Sequence, residues 1–577
     1  MKNRLYEQVH PLYEVKKTLG NDSQKSDWKE SKPIQDRDLE ELQLEMTRKW
    51  KEFSRRCWKQ QSRNLVSASS LFTVLRYSSF RILTGLTVVS LLCLFSTVSL
   101  FATEPKTQLK TKRIAWPTYH KDNARSASTD EILKFPLKKS WEYTSVIKPV
   151  PAWPGPSKWD GWGKVFELKD RIIFDKVFHV VVASGKVYFG SSVDNQVYCL
   201  DAKTGEVNWK FFTEGPVRLA PSIANGRVYF GSDDGFAYSL QAESGVLIWR
   251  QQVGLKDVRV PGNGRLISKW PVRSGVVIVG SANQGVDAYC CAGVFPNESV
   301  YLVGMNADDG QIQWKTEIKD LTAQGYMLAS ENRLYVTTGR ERPLVFDRQS
   351  GKRLFQVAGG GGGTYALLSG DALIYGPGKK GEVNLFGQKV KDQLASFAGN
   401  HMVVTPAMSY LHTDTDLTAL DRSTYLQLTR NRKAKIQTRD QISAQLKAAK
   451  EAEELRQQQK ELTETQKKHI LTDEQSNDLR QQLSECAEMI DQLTTEMKKC
   501  FKWKINCDYP LSLIRTGNAL FTGGHGSVAA FSPDDGRLIW QAEVDGDVYG
   551  LAVSETRLYV STNYGKIYCF LASQEGI

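Results

Sequence analysis

At 577 residues the chain is too long for one ordinary globular core, so several units are expected. Hydrophobic residues make up 41% and aromatic residues 10%, which fits a folded protein; the formal charge is +12. The nine cysteines form no CxxC pair and no Cys/His spacing suited to zinc, and the seven histidines form no HExxH cluster. A zinc module and a densely disulfide-stapled domain are therefore not indicated.

Residues 1–81 are polar and charged, with an amphipathic helix expected from Asp36 to Gln61, and read as a cytoplasmic segment. Basic residues including Arg76 and Arg81 precede an uncharged run, ILTGLTVVSLLCLFSTVSLFA, over 82–102. As a helix it spans about 30 Å, enough for a hydrocarbon core. The basic flank is N-terminal, so the chain is expected to be a single-pass membrane protein with everything after 103 outside the cytoplasm. The alternative is a cleaved signal and a secreted product. Leu100, at the −3 position of a cut after Ala102, is not small, and 21 apolar residues are long for a signal core. The basicity is read as topological and membrane-surface. No stretch interleaves aromatic and basic residues as single-strand binders do, so no nucleic acid partner is expected.

Residues 103–136 read as a polar linker. Leu137 to Ser145 (LKKSWEYTS) is a strand around Trp141 without preceding strands of its own. Repeats then begin. VYFGSSVDNQVYCLDAKTGEVNW (Val187 to Trp209) is followed by VYFGSDDGFAYSLQAESGVLIW (Val228 to Trp249), their tryptophans 40 positions apart. Further copies end in NADDGQIQW at Trp314 and SPDDGRLIW at Trp540, with a degenerate FDRQSGKRLF at Phe355. A period of about 40 with strand patterning is the signature of a β-propeller. Within a repeat, Asp201 is placed to accept backbone N–H groups while Gly205 supplies positive φ, and Trp209 covers the seam to the next blade. Gly245, Trp249, Gly310, Trp314, Gly351, Gly536 and Trp540 hold the same structural positions. The chain ends on LYVSTNYGKIYCFLA (Leu558 to Ala572), a blade lacking its last strand, which Leu137 to Ser145 is expected to supply. The count is eight blades, seven being the alternative because YALLSGDALIYGPG and GEVNLFG parse weakly.

The propeller thus runs over 137–427 and 501–577, around an insertion at 428–500 that holds neither Gly nor Pro. Leu479, Leu483, Cys486, Ile490, Leu493, Met497 and Cys500 recur at 4-3-4-3-4-3 spacing, which predicts a coiled-coil helical hairpin, a structural spike or a docking arm. The fold class is therefore all-β with one α-helical insertion.

Lys256 to Arg273 (KDVRVPGNGRLISKWPVR) inserts before the third blade. With Arg340 and Arg342 it offers a candidate cationic ligand patch made of Arg259, Arg265, Lys269, Trp270 and Arg273, chemistry that suits carboxylates or phosphates. The five-glycine run Gly359 to Gly363 has neither a helix pattern nor a P-loop lysine after it and reads as a flexible loop.

The repeat resembles the pyrroloquinoline quinone (PQQ)-type propeller repeat, an apolar strand followed by A-L-D-x-x-T-G and Trp. Asp201, Thr204, Gly205 and Trp209 form the best copy, and the resemblance covers about 187–425 and 513–572. It implies a fold shared by quinoprotein alcohol dehydrogenases and by the non-catalytic assembly factor BamB, and does not choose between them. The dehydrogenases carry a vicinal disulfide against PQQ; here Cys290-Cys291 lies in DAYCCAGVFP, a strand running into a turn. No calcium-ligand motif and no haem-attachment CxxCH accompanies the pair. The expectation is a non-catalytic, BamB-like binding or scaffold protein that meets protein partners through the propeller or the hairpin, with no catalytic residue, no metal and no cofactor. The alternative is a PQQ- and calcium-dependent quinoprotein dehydrogenase; a third possibility is a sensor reporting propeller occupancy to the cytoplasm.

Overall fold

A computed structural model describes residues 115–153 and 172–573, apart from 263, 282–284, 371, 378–381, 388–392, 459–460 and 462. All lie in one compact unit, Lys106–Ile577. The segments expected to be cytoplasmic (1–81), membrane-spanning (82–102) and the start of the linker (103–114) lie outside the described residues. Among the described residues no helix is long and apolar enough to cross a membrane.

The repeats fold into antiparallel sheets, each a meander of consecutive strands. Six have four strands, covering residues 181–212, 222–252, 277–318, 328–356, 365–398 and 401–506. A seven-stranded sheet follows. Its strand Leu538–Ser554 first lies beside His525–Phe531 and then, further along, beside Arg557–Thr562. The outermost strand of this last sheet is Leu137–Thr144, paired antiparallel with Lys566–Ala572 from Leu137↔Ala572 to Thr144↔Lys566. The first strand among the described residues therefore closes the last sheet, as the missing final strand of the C-terminal repeat required. The weakly patterned stretch over 365–398 also forms four ordinary strands.

The apolar core lies between neighbouring sheets. Val181, Tyr188, Val197 and Cys199 of the first sheet pack with Val228, Phe230 and Leu240 of the second. Later sheets meet their neighbours in the same way, and a last cluster joins Leu558 and Tyr559 near the C-terminus to Val182 and Phe189 of the first sheet. The sheets close into a ring, a β-propeller, in which each blade's two faces are buried only by its neighbours.

The recurring Asp, Gly and Trp residues staple that ring. Asp201 Oδ1 accepts the N–H groups of Lys203 (2.8 Å) and Thr204 (3.0 Å), and Gly205 takes φ +75°. Trp141, from the closing strand, lies on Gly205: a Cβ there would come within 2.6 Å of the indole ring. Gly245, Gly310, Gly351 and Gly536 lie likewise under Trp209, Trp249, Trp314 and Trp503. The indole N–H then donates to the next sheet: Trp141 to Ala202 O (3.1 Å), Trp209 to Ala242 O (3.1 Å) and Trp249 to Ala307 O (2.9 Å); Trp540 donates within the seven-stranded sheet, to Leu137 O of its outermost strand (2.9 Å). Glycine is required there twice over, by the left-handed turn and by the ring above it.

The linker expected over 103–136 is, from 115 onward, part of the fold. Trp116 bridges Val182, Pro117 O accepts from Ile223 N, and Asn123 donates to Ile278 O while accepting from Ala329 N. Ala124 O accepts from Leu368 N, and Ser128 bridges Arg515. These partners belong to the first strands of the first five sheets and of the seven-stranded sheet, so the segment winds round the inside of the ring. Buried Arg125 donates to Met327 O at 2.8 and 3.0 Å. It looked like a linker because its few buried apolar residues, Trp116, Ala127 and Leu133, are scattered among buried polar groups that hydrogen bonds satisfy.

The insertion is a pair of helices, α1 (Arg422–Gln457) and α3 (Asp473–Lys499), with a single turn α2 (Glu464–Lys467) between them. It replaces the Asp-x-x-Thr-Gly turn of the sixth sheet. Asp421, in the position of Asp201, caps α1 by accepting Thr424 N at 3.1 Å, and its own N–H donates to Cys500 O. The helix starts at Arg422, six residues before the expected boundary, because that capping turn is already helical. Cys486 and Ile490 of the expected seam are buried and Leu479, Leu483, Leu493 and Met497 are half-buried. Arg432 Nε donates to Thr494 Oγ1 (2.8 Å), which sets the two helices antiparallel.

Candidate functional site

In an antiparallel meander the start of the first strand, the turn between strands two and three, and the end of strand four share one end of the sheet. This leading end of the ring gathers the connections between blades. The trailing end holds the Asp-Gly turns, the helical insertion and the segment 115–131. Arg259, Arg265, Trp270, Arg273 and Arg340 all come from leading-end connections, yet they do not form one open patch.

Residues 259–268 make a two-stranded hairpin, Arg259–Gly262 with Arg265–Ser268. Arg259 donates to Glu214 Oε2 (2.6 Å) and Asp257 Oδ1 (2.8 Å). Arg265 reaches over the first sheet to Asn195 Oδ1 (3.0 Å) and the Val193 carbonyl. Trp270 is buried, its indole N–H donating to Glu298 O (2.9 Å), and Lys269 pairs with the Glu298 carboxylate (2.6 Å). Arg340 is half-buried in the turn between the second and third strands of the fourth sheet.

Arg273 faces inward. It grips Asp233 with two hydrogen bonds, Nε to Oδ1 (2.7 Å) and Nη2 to Oδ2 (2.8 Å). Arg218 donates to the same carboxylate (2.6 Å) and to Asp175 Oδ2 (2.9 Å), which also accepts Ala152 N (2.7 Å). Asp175, Arg218, Asp233 and Arg273 thus form a buried ion chain, each group at most 4% exposed. Burial alone pushes the Asp233 carboxyl up, but its two guanidiniums more than reverse this and hold it below the usual range. At Asp175 burial wins over the single Arg218 and the carboxyl is raised. The chain ties together four leading-end segments, 43, 15 and 40 residues apart in the sequence, and no local motif announces it.

Beside it at the leading end is a cleft of about 210 Å³, lined among others by Ile173, Lys176, Asn400, His401, Asp414 and Tyr549. Asn400 Nδ2 donates to Asp414 Oδ1 (2.9 Å), and Lys176 Nζ stands 5.1 Å above the Tyr549 ring. At its margin His525 Nδ1 meets Asp547 Oδ1 at 2.8 Å. A cation, an imidazole, an amide, a carboxylate and a phenol in one concavity can hold a polar loop or small ligand by hydrogen bonds. Sequence reading missed this cleft, since its residues come from seven separate stretches of the chain and share no spacing.

Cys290 and Cys291 lie on the strand Gly285–Ala292, and both thiols are free and buried. Cys290 packs between the second and third sheets with Trp249 and Trp270; Cys291 packs between the third and fourth, its Sγ 3.6 Å from Met327 Sδ. Burial pushes the Cys290 thiol up to about 12 and raises Cys291 well above the ordinary value. Among the described residues no three His, Cys, Asp or Glu side chains gather in a way that could hold a metal ion.

The family model described as outer membrane protein assembly factor BamB matches residues 161–293 and 524–576. The repeats are PQQ-like repeats. Among curated relatives, the dehydrogenase subunit of a quinone alcohol dehydrogenase from Gluconobacter oxydans (strain 621H) is 30% identical over 157 residues, covering 24% of this chain and 20% of the relative. Outer membrane protein assembly factor BamB from Moranella endobia (strain PCIT) is 21% identical over 234 residues, covering 33% of this chain and 58% of that protein. The chain therefore spans about a fifth of the one and just over half of the other. Among solved structures, a quinohemoprotein alcohol dehydrogenase from Comamonas testosteroni superposes with a TM-score of 0.50 at 12% identity, over 80% of this chain and 82% of that one. That likeness is one of fold. The PQQ-like repeats account for the ring; what the ring binds is a separate matter.

Proposed function

We propose that the chain is a non-catalytic binding or scaffold protein of the cell envelope, BamB-like, built as an eight-bladed PQQ-like propeller with the seven-stranded sheet counted as two blades. The observation that carries the reading is the division of Cys290 and Cys291 between two inter-blade cores. A vicinal pair that brackets a quinone needs both sulfurs on one ligand surface; here the strand sends them to opposite faces. The described residues therefore do not fit PQQ held in that way. The leading-end cleft is where a protein partner docks, in keeping with the assembly-factor relatives. Residues 82–102 anchor the chain with its propeller outside the cytoplasm, so a reporter fused at residue 60 reads cytoplasm and one after 110 reads the other side.

The test is direct. Purified chain titrated with PQQ and calcium should show no saturable change in the quinone spectrum, and photo-crosslinkers at Lys176 and Tyr549 should capture an envelope protein. Calcium-dependent PQQ binding that vanishes in the Cys290→Ser/Cys291→Ser variant sinks the proposal in favour of a quinoprotein dehydrogenase, the reading that the Gluconobacter relative supports.

A further inference from the structure

Four histidines gather on the inner side of the ring: His120 of the segment 115–131, His179 of the stretch 172–180, and His401 and His412 of the sixth sheet's first two strands. Tyrosine rings link them. Tyr119 stacks on His120 (3.9 Å between ring centres) and on Tyr326 (3.6 Å), and stands edge-on to His179 at 5.0 Å. Tyr365 lies 6.2 Å from His120 and 5.0 Å from His401, whose ring is 5.9 Å from that of His412. His179, His401 and His412 are buried; His120 is half-buried, its Nδ1 enclosed without a hydrogen-bond partner. The carboxylates around them are engaged elsewhere: Asp122 with Ser126 N (3.0 Å) and Oγ (2.5 Å), Asp175 with Arg218 and Ala152, Asp414 with Asn400. The cations nearby lack a carboxylate in direct contact. Arg125 donates to the Met327, Tyr119 and Asp122 carbonyls and to Thr118 Oγ1, and Lys121 Nζ donates to Ser128 O. Lys176 lies over the Tyr549 ring. Burial first, then His179, His401 and Arg125, hold His120 well below its ordinary pKa, and burial brings His179 to about 3. The segment that carries His120 and Arg125 is thinly held. Each inner strand gives it one or two backbone bonds, as Val182 does to Trp116, Ile223 to Pro117 and Leu368 to Ala124.

We propose that the segment 115–131 is an acid-released strap: protons taken up by the imidazoles at the axis gather positive charge beside Arg125 and lift the segment off the inner strands, while the blades and the closing strand Leu137–Thr144 stay folded. The sign follows from linkage. In the closed ring His120 and His179 are held neutral, whereas in the opened one they return toward about 6.5, so opening takes up protons and is favoured as the pH falls below that value. Glu131, at the end of the segment, and Asp175 act the other way. Burial raises both carboxyls, so the closed form keeps their protons more firmly and acid favours it. Asp175 stays bound to Arg218, which keeps the stretch 172–180 in place when the strap leaves. The closing strand has its own attachments, to Lys566–Ala572 and under Trp540, and does not depend on the strap. Because His401 also lines the leading-end cleft, release alters the inner wall of that cleft, whatever the cleft binds.

Amide hydrogen exchange of the full chain in mild detergent, read by mass spectrometry at pH 7.5 and pH 5 and corrected for intrinsic rates, tests the strap. A single histidine with a pKa near 6.5 when open and about 3 when closed raises the open fraction about 30-fold between these pH values. Peptides within 116–129 are therefore expected to exchange at least tenfold faster at pH 5, with 137–144 and the blade strands still protected. His120→Gln/His179→Gln should keep the segment protected at pH 5, while His469→Gln, on the helical insertion, should leave its release unchanged. Equal protection of 116–129 at both pH values overturns the proposal. So does loss of protection by segment and blades together, which is unfolding and not release; both outcomes are read on the unaltered chain and need no variant. Release that persists undiminished in the double variant, shown to be folded by its melting curve at pH 7.5, also overturns it.

Discussion

At Asp233 two guanidiniums converge on one buried carboxylate, and the balance of charge there decides what substitution does. Arg273→Met removes half of that compensation without adding volume, leaving Asp233 with Arg218, which is itself shared with Asp175. Removing one partner of a buried pair costs about 3–5 kcal/mol. Thermal melting should show the loss, with Asp233→Asn/Arg273→Met less harmful than the single change because it leaves less uncompensated charge. His179 gives a second test. Its ring is buried edge-on to Tyr119 (5.0 Å), and burial depresses its pKa to about 3. Above the unfolded value of about 6.5 both states are neutral and His179 contributes no pH dependence. Between about 6.5 and 3 the unfolded chain takes up a proton that the folded chain refuses, so stability falls as pH falls, by up to about 1.4 kcal/mol per pH unit. His179→Gln should flatten the melting-temperature profile between pH 7 and pH 5; an unchanged slope would show that His179 titrates freely in the folded protein.

Elements were legible in the sequence to the degree that their pattern was local. The Asp-Gly-Trp staple repeats at a fixed spacing, so both the turn at Asp201 and the seam under Trp209 followed from the residues alone. The strand character of DAYCCAGVFP followed equally, and with it the separation of the two thiols. The ion chain and the cleft did not, because their residues sit in different connections and only ring closure brings them together. Residues 115–136 misled for another reason: a few scattered apolar anchors such as Trp116 and Leu133 are buried among polar groups, Thr118, Arg125 and Thr129, that hydrogen bonds satisfy, so no strand or helix period announces the burial. The hairpin was readable, but its root was not. Tyr425 packs its ring 5.4 Å from Phe397 and 6.0 Å from Phe501, and Leu426 is buried in the blade core. The first turn of α1 therefore belongs to the propeller. Replacing 428–499 by a short Gly/Ser linker should leave far-UV circular dichroism of the sheets and a cooperative melt intact. Tyr425→Ala/Leu426→Ala in the otherwise complete chain should lower the melting temperature, since it opens a cavity between the fifth and sixth sheets. If the deletion unfolds the protein, the arm supports the blades along its length.

For the molecule as a whole, closure depends on one short stretch near the start of the described residues, and it does two separable things. The strand Leu137–Thr144 covers the edge Lys566–Ala572, receives the Trp540 indole N–H at Leu137 O, and sends Trp141 across to Gly205 of the first sheet. The segment 115–131 instead lines the ring from within, holding first strands of successive sheets through Trp116, Asn123, Ala124 and Arg125. A truncation series separates the two roles. A chain beginning at residue 115 keeps both and should melt as one beginning at residue 103 does. One beginning at 137 keeps the closing strand but loses the inner segment, including the hydrogen bonds of Arg125 to Met327 O; it should stay monomeric and closed with a lowered melting temperature. One beginning at 146 leaves an unpaired strand edge and two uncovered seams, the combination that drives edge-to-edge association. It should aggregate or fail to fold. Size-exclusion chromatography with melting curves on the three chains reads all of this. If the chain starting at 146 proves as stable and monomeric as the one starting at 115, the ring is held by the repeats alone and the closing strand is dispensable.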